Sequence, residues 1–114
     1  MRFVETPVFT RSVTSLLDDD QYRFLQLALA LRPEQGPLIR GSGGLRKLRW
    51  AMPGRGKRGS ARVIYYWDRQ TETFYMLFVY LKTEQGDLIP EQIRILGRLV
   101  HTEFKLKSRI LEIS

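Results

Sequence analysis

The sequence predicts an α+β domain in which two helices precede, and one helix follows, an antiparallel sheet of three to four strands. Three observations carry this expectation. Residues 61–67 and 74–82 are crowded with β-branched and aromatic side chains, and the polar stretch 68–73 between them has the length of a hairpin connection. Ahead of them lie two segments with helical start signals and apolar spacing. After them, Ile93, Leu96, Val100 and Phe104 recur at helical intervals behind Pro90.

Taken in order, Phe3-Val4-Glu5 reads as a short opening strand. Thr6-Pro7 then supplies a capping threonine and a proline at the first helical position, opening a helix of about ten residues through Val13 and Leu16-Leu17. Asp18 followed by Gln21 has capping-box spacing, and Asp18, Asp19 and Asp20 complement the positive end of a second helix. That helix carries Tyr22, Leu25, Ala28 and Leu29 on one face and stops near Arg32, because Pro33 and Gly36-Pro37 forbid continuation. Gly41-Ser42-Gly43-Gly44 lacks the Lys-Ser/Thr of a phosphate-binding loop and leads into a strand, so it reads as a turn. The strand, 45–52, alternates: Leu48, Trp50 and Met52 on one side, Lys47 and Arg49 on the other. In the next strand Arg62, Ile64 and Tyr66 share one face and Val63, Tyr65 and Trp67 the other. Strict alternation in the last strand groups Met76, Phe78, Tyr80 and Lys82. Tyr65, Trp67, Phe74 and Phe78 are expected in the core; Tyr80, beside Lys82 at a strand end, stands apart from them.

At 114 residues and 43% hydrophobic content the chain is expected to form one domain, 1–114, with a core of its own. No apolar run is long enough to cross a bilayer, and the charged N-terminus does not read as a secretory signal, so a cytoplasmic protein without membrane contact is expected. The absence of cysteine excludes disulfides and thiolate metal sites, and one histidine, His101, is too few for a zinc or copper centre. Metal dependence is not expected, although carboxylates alone could still hold magnesium weakly. His101 falls largely off the apolar stripe of the last helix and is expected at the surface. Nineteen Lys+Arg against 12 Asp+Glu give a net charge of +7, which draws the domain toward RNA, DNA or an acidic protein partner.

The densest charge is Gly54-Arg55-Gly56-Lys57-Arg58-Gly59, three cations among three glycines, directly ahead of the strand that carries Arg62. Glycine lets backbone approach a polyanion, and arginine and lysine supply donors that match phosphate oxygens. The same residues also describe a solvated hairpin connection, and composition alone does not choose between the two.

Four segments in register carry a resemblance: Gly41-Ser42-Gly43-Gly44-Leu45-Arg46-Lys47-Leu48-Arg49, the basic hexamer, Arg62-Val63-Ile64-Tyr65-Tyr66, and Tyr80-Leu81-Lys82-Thr83-Glu84. Together with the order of elements, they make the chain resemble the RelE superfamily of bacterial toxins, most closely its HigB-like branch, over residues 3 to about 99. The resemblance implies the toxin of a type II toxin-antitoxin system: a metal-independent endoribonuclease that cuts messenger RNA on the ribosome, inhibits translation, and is neutralised by a cognate antitoxin. It assigns Lys57, Arg62 and Lys82 to catalysis with Tyr80 beside them, and Arg55, Arg58, Lys47 and Arg49 to RNA binding. Two other outcomes on the same fold are a non-catalytic basic nucleic-acid binder and a gyrase inhibitor.

Metal-free RNA cleavage asks for such residues. The ribose 2′-hydroxyl attacks the adjacent phosphorus, so the site must take one proton, hold extra negative charge and protonate the departing 5′ oxygen. Lys57, crowded by Arg55, Arg58 and Arg62, is suited to act as base, and Arg62 to brace the phosphorane with its fork of donors. Lys82 or Tyr80 would serve the leaving group. Residues 83–89 carry neither the arginine nor the aromatic residue that some members of the superfamily place after the last strand, and His101 lies too far inside the last helix to equate with the C-terminal histidine of others.

Overall fold

The computed structural model describes residues 1–51 and 60–104. Its elements are β1 (Arg2–Glu5), α1 (Pro7–Leu16), α2 (Asp19–Leu31), β2 (Arg46–Trp50), β3 (Ala61–Asp68), β4 (Thr73–Leu81) and α3 (Pro90–Arg98), which runs on into a π-helical segment, Leu99–Phe104. The expected α+β class and helix placement are found. The sheet is four-stranded in the order β1-β4-β3-β2. Its three long-expected strands pair antiparallel, but β1 joins β4 in parallel, so the sheet is mixed. The reason is the α1–α2 crossover, which carries the chain away from the edge strand over one face of the sheet before β2 begins; strands so connected are free to run the same way.

Helix starts follow the local chemistry of the sequence. The Thr6 hydroxyl accepts from the Phe9 amide at 3.0 Å with Pro7 next to it, and Asp18 and Gln21 exchange both bonds of a capping box at 2.8 and 2.9 Å. α1 and α2 turn Phe9, Val13, Leu25 and Leu29 onto one face of the sheet, against Leu48, Val63, Tyr65, Phe74 and Met76. The other face packs Ile64, Tyr75, Leu77 and Tyr80 against Leu88 and Val100, with Ile93, Leu96 and Leu99 half-buried on them. The sheet is thus the middle of three layers.

Strict alternation fails once, and the failure positions the site. In the β3–β4 pairing Ile64 faces Phe78 while Tyr65 faces Met76, which leaves Leu77 as an extra residue in β4. Met76 therefore packs beneath α1 and α2, whereas Phe78 and Tyr80 belong to the α3 side. The expected grouping of Met76 with Phe78, Tyr80 and Lys82 is corrected by this bulge. Thr6 secures it: its amide donates to the Met76 carbonyl at 3.0 Å and its hydroxyl to the Leu77 carbonyl at 2.8 Å. One buried threonine caps α1 and satisfies the backbone of the bulge together. Thr6→Ala is expected to cost about 2–3 kcal/mol in urea denaturation, because cap and bulge carbonyl lose their partner at once, with Thr6→Ser recovering most of it.

On the α3 side, the turn before β2 needs its glycines. Gly43 and Gly44 have φ of 75° and 109°, and a Cβ on either would stand 3.0 Å from His101 or Tyr66 respectively. The last helix does not stay α-helical as its stripe suggests; it widens to π-helical turns over Leu99–Phe104. His101 is exposed as expected, yet engaged: its Nε2 lies 2.6 Å from the Gly43 carbonyl and its ring meets Tyr66 edge-on at 5.4 Å. Since a carbonyl only accepts, that nitrogen carries the proton.

Candidate nucleic-acid interface

Cross-strand register builds the site. Arg49 of β2 lies opposite Arg62 of β3, and Arg62 lies opposite Tyr80 of β4, so three side chains form one row across the α3 face. Lys47, two residues before Arg49, shares their face. The bulge makes the row possible. Were β4 to alternate strictly through Leu77, Tyr80 would face α1 and α2.

Arg62 is only 4% exposed, and its Nη1 donates to the Ser60 hydroxyl at 2.9 Å. Among the described residues it has no carboxylate within ion-pair distance. A guanidinium taken out of water with only the Asp87 charge acting on it from beyond contact is costly, and the arrangement favours an anion arriving from outside. Tyr80 is likewise 4% exposed, and its hydroxyl has no hydrogen-bond partner among the described residues. Burial pushes its pKa up, the Asp87 carboxylate adds to the rise, and Arg62 opposes it. The hydroxyl therefore stays protonated at neutral pH and faces any incoming oxyanion as a donor, not as a base. Tyr80→Phe is expected to stabilise the fold by about 1 kcal/mol, read as a higher thermal midpoint, since it removes a buried polar group that has no partner.

Asp87 is the site residue that the sequence reading did not single out. Its carboxylate lies 3.2 Å from Lys47 Nζ and takes the Leu88 amide at 2.9 Å. That amide, followed by Lys47, holds its carboxyl below the usual carboxylate range. Forty positions separate Asp87 from Lys47, and no local spacing announces the pair. Ser60, the anchor of Arg62, was equally silent.

Of the residues named from sequence, the fold brings Lys47, Arg49, Arg62 and Tyr80 to one face. Lys82 follows directly after β4; it is exposed, and its amide donates to the Ser60 carbonyl at 3.2 Å, next to the anchor of Arg62. Lys57, Arg55 and Arg58 lie outside the described residues. Among the described residues no group of three or more His, Asp or Glu is arranged to hold a metal ion, and no helix is long and apolar enough to cross a membrane.

A small α+β domain with a four-stranded sheet between two helices and a third has a RelE-like fold. The similarity is to a solved structure of E. coli toxin RelE, a double arginine-to-alanine mutant in the free state: TM-score 0.54 and 11% identity, covering 74% of this chain and 85% of that one. No family model matches the sequence.

Proposed function

We propose that this protein is the toxin of a type II toxin-antitoxin system, of the HigB-like branch, and acts in the cytoplasm as a ribosome-dependent messenger endoribonuclease. The observation that carries the reading is the buried Arg62 guanidinium without a carboxylate partner among the described residues, set beside an unpartnered Tyr80 hydroxyl on a cationic row. Two donors held in place by burial suit a phosphate that gains charge during reaction, because they need no reorganisation when that charge appears. The RelE-like fold supports the same class.

In this mechanism Lys57 takes the proton of the ribose 2′-hydroxyl, which attacks the adjacent phosphorus. Arg62 braces the phosphorane, with Tyr80 donating to one of its oxygens. The P–O5′ bond then breaks, giving a 2′,3′-cyclic phosphate, and Lys82 returns a proton to the departing 5′ oxygen. Arg55, Arg58, Lys47 and Arg49 seat the RNA backbone. No metal or cofactor takes part, and a cognate antitoxin covers the cationic face.

The test is cleavage of a defined messenger by purified protein with and without translating ribosomes, mapped by primer extension. Cuts that require ribosomes support the reading. Salt-sensitive RNA binding without cleavage would instead indicate a nucleic-acid binder, and blocked DNA synthesis with intact messenger a gyrase inhibitor. Tyr80→Phe should lower the cleavage rate about tenfold to a hundredfold while leaving RNA affinity near the wild-type value, as expected for a donor used mainly in the transition state.

A further inference from the structure

α2 is apolar on two sides. Leu25 and Leu29 are fully buried against the sheet, yet Phe24, Leu27 and Leu31 are 66%, 54% and 83% exposed. With Asp20 these three follow one another at spacings of four, three and four, the repeat that keeps side chains in one line along a helix. A single exposed leucine needs no explanation; a line of three large apolar groups opposite the buried face marks a surface that meets something.

The charges around the line say what. At the N-terminal end of the helix stand Asp19 and Asp20, the latter 4.0 Å from Arg23, with both members of that pair largely exposed. At the C-terminal end stands Arg32, exposed and without an ion pair among the described residues. An acidic partner helix would meet repulsion at the first end, and a basic one at the second. A second copy of this chain, related by a twofold axis, meets neither: antiparallel pairing sets Phe24 against Leu27 of the second copy, Leu27 against its Phe24, and Asp20 against the end of the helix that carries its Arg32. The helix dipoles also oppose head to tail in that arrangement.

We infer that the outward face of α2 is a self-association surface on which two copies of this chain pair their α2 helices antiparallel. The surface lies on the layer opposite the Arg62 row, so a dimer would leave both cationic faces open. The inference does not depend on the proposed activity.

Sedimentation equilibrium of the full chain over a range of concentrations tests it. The wild type should pass from monomer to dimer as concentration rises. Leu27→Glu should weaken association about a hundredfold by placing a charge at the centre of the contact, with circular dichroism and the thermal transition unchanged. Leu27→Gln is the milder variant if glutamate disturbs the helix. Asp20→Arg should weaken association about tenfold, and adding Arg32→Asp in the same chain should restore it, because the twofold axis makes both contacts from one pair of substitutions. A wild type that remains monomeric up to its solubility limit would overturn the inference. So would a dimer indifferent to Leu27→Glu and Leu27→Gln, or one in which the charge exchange brings no recovery.

Discussion

Arg62→Ala is expected to abolish growth arrest on expression and to reduce ribosome-dependent messenger cleavage by about a hundredfold to a thousandfold, the loss typical of removing one preorganised donor to a developing anion. The side chain is buried, sits in register between Arg49 and Tyr80, and is steadied by Ser60. Because it has no carboxylate partner among the described residues, its removal leaves no orphaned anion there, and the fold should melt at or above the wild-type temperature. Arg62→Lys should recover part of the activity, since charge returns without the fork of donors. Folded Arg62→Ala protein that still arrests growth and cuts messenger at the wild-type rate would remove Arg62 from the mechanism.

The largest loss of stability is expected from Phe74→Ala, about 3–5 kcal/mol, seen as a thermal midpoint lowered by on the order of 15 °C and an earlier urea transition. Phe74 is fully buried on β4 and is the common neighbour of three rings: Phe3 at 4.7 Å, Trp67 at 4.4 Å and Tyr65 at 6.0 Å. Through Phe3 it also anchors the edge strand, whose pairing with β4 is short. Phe74→Leu should cost less than half as much, because most of the volume is kept. A loss for Phe74→Ala below about 1 kcal/mol would mean that the aromatic cluster closes over the gap.

Local chemistry made much of the fold legible. Thr6-Pro7, the Asp18–Gln21 box and Pro33 each act within a few residues, and all mark helix ends in the structure. The alternation of β2 likewise pairs Lys47 with Arg49, and that of β3 pairs Arg62 with Ile64; that the two sets share a face follows only from the β2–β3 register. What escaped was non-local. The direction of β1 depends on a crossover path, the bulge in β4 on a partner strand and a threonine 71 positions away, and the Lys47–Asp87 contact on the meeting of β2 with the loop that follows β4. Tyr80 shows both sides of this: its type and place at the strand end stand out in the sequence, but its burial, and a hydroxyl without a partner among the described residues, belong to tertiary packing.

The odd residue in β4 also limits how such a chain can change length. Deleting Leu77 would leave Ile64 opposite Phe78 and Arg62 opposite Tyr80 in unbroken alternation; straightening the strand with Leu77 retained would instead send Tyr80 under the helices and turn Val79 and Leu81 toward the opposite layer. Such a chain can gain or lose residues in its turns and can lose Leu77 itself, whereas a second deletion between Met76 and Tyr80 would turn the row over. Reactive surface and hydrophobic interior share one register and must be inherited together.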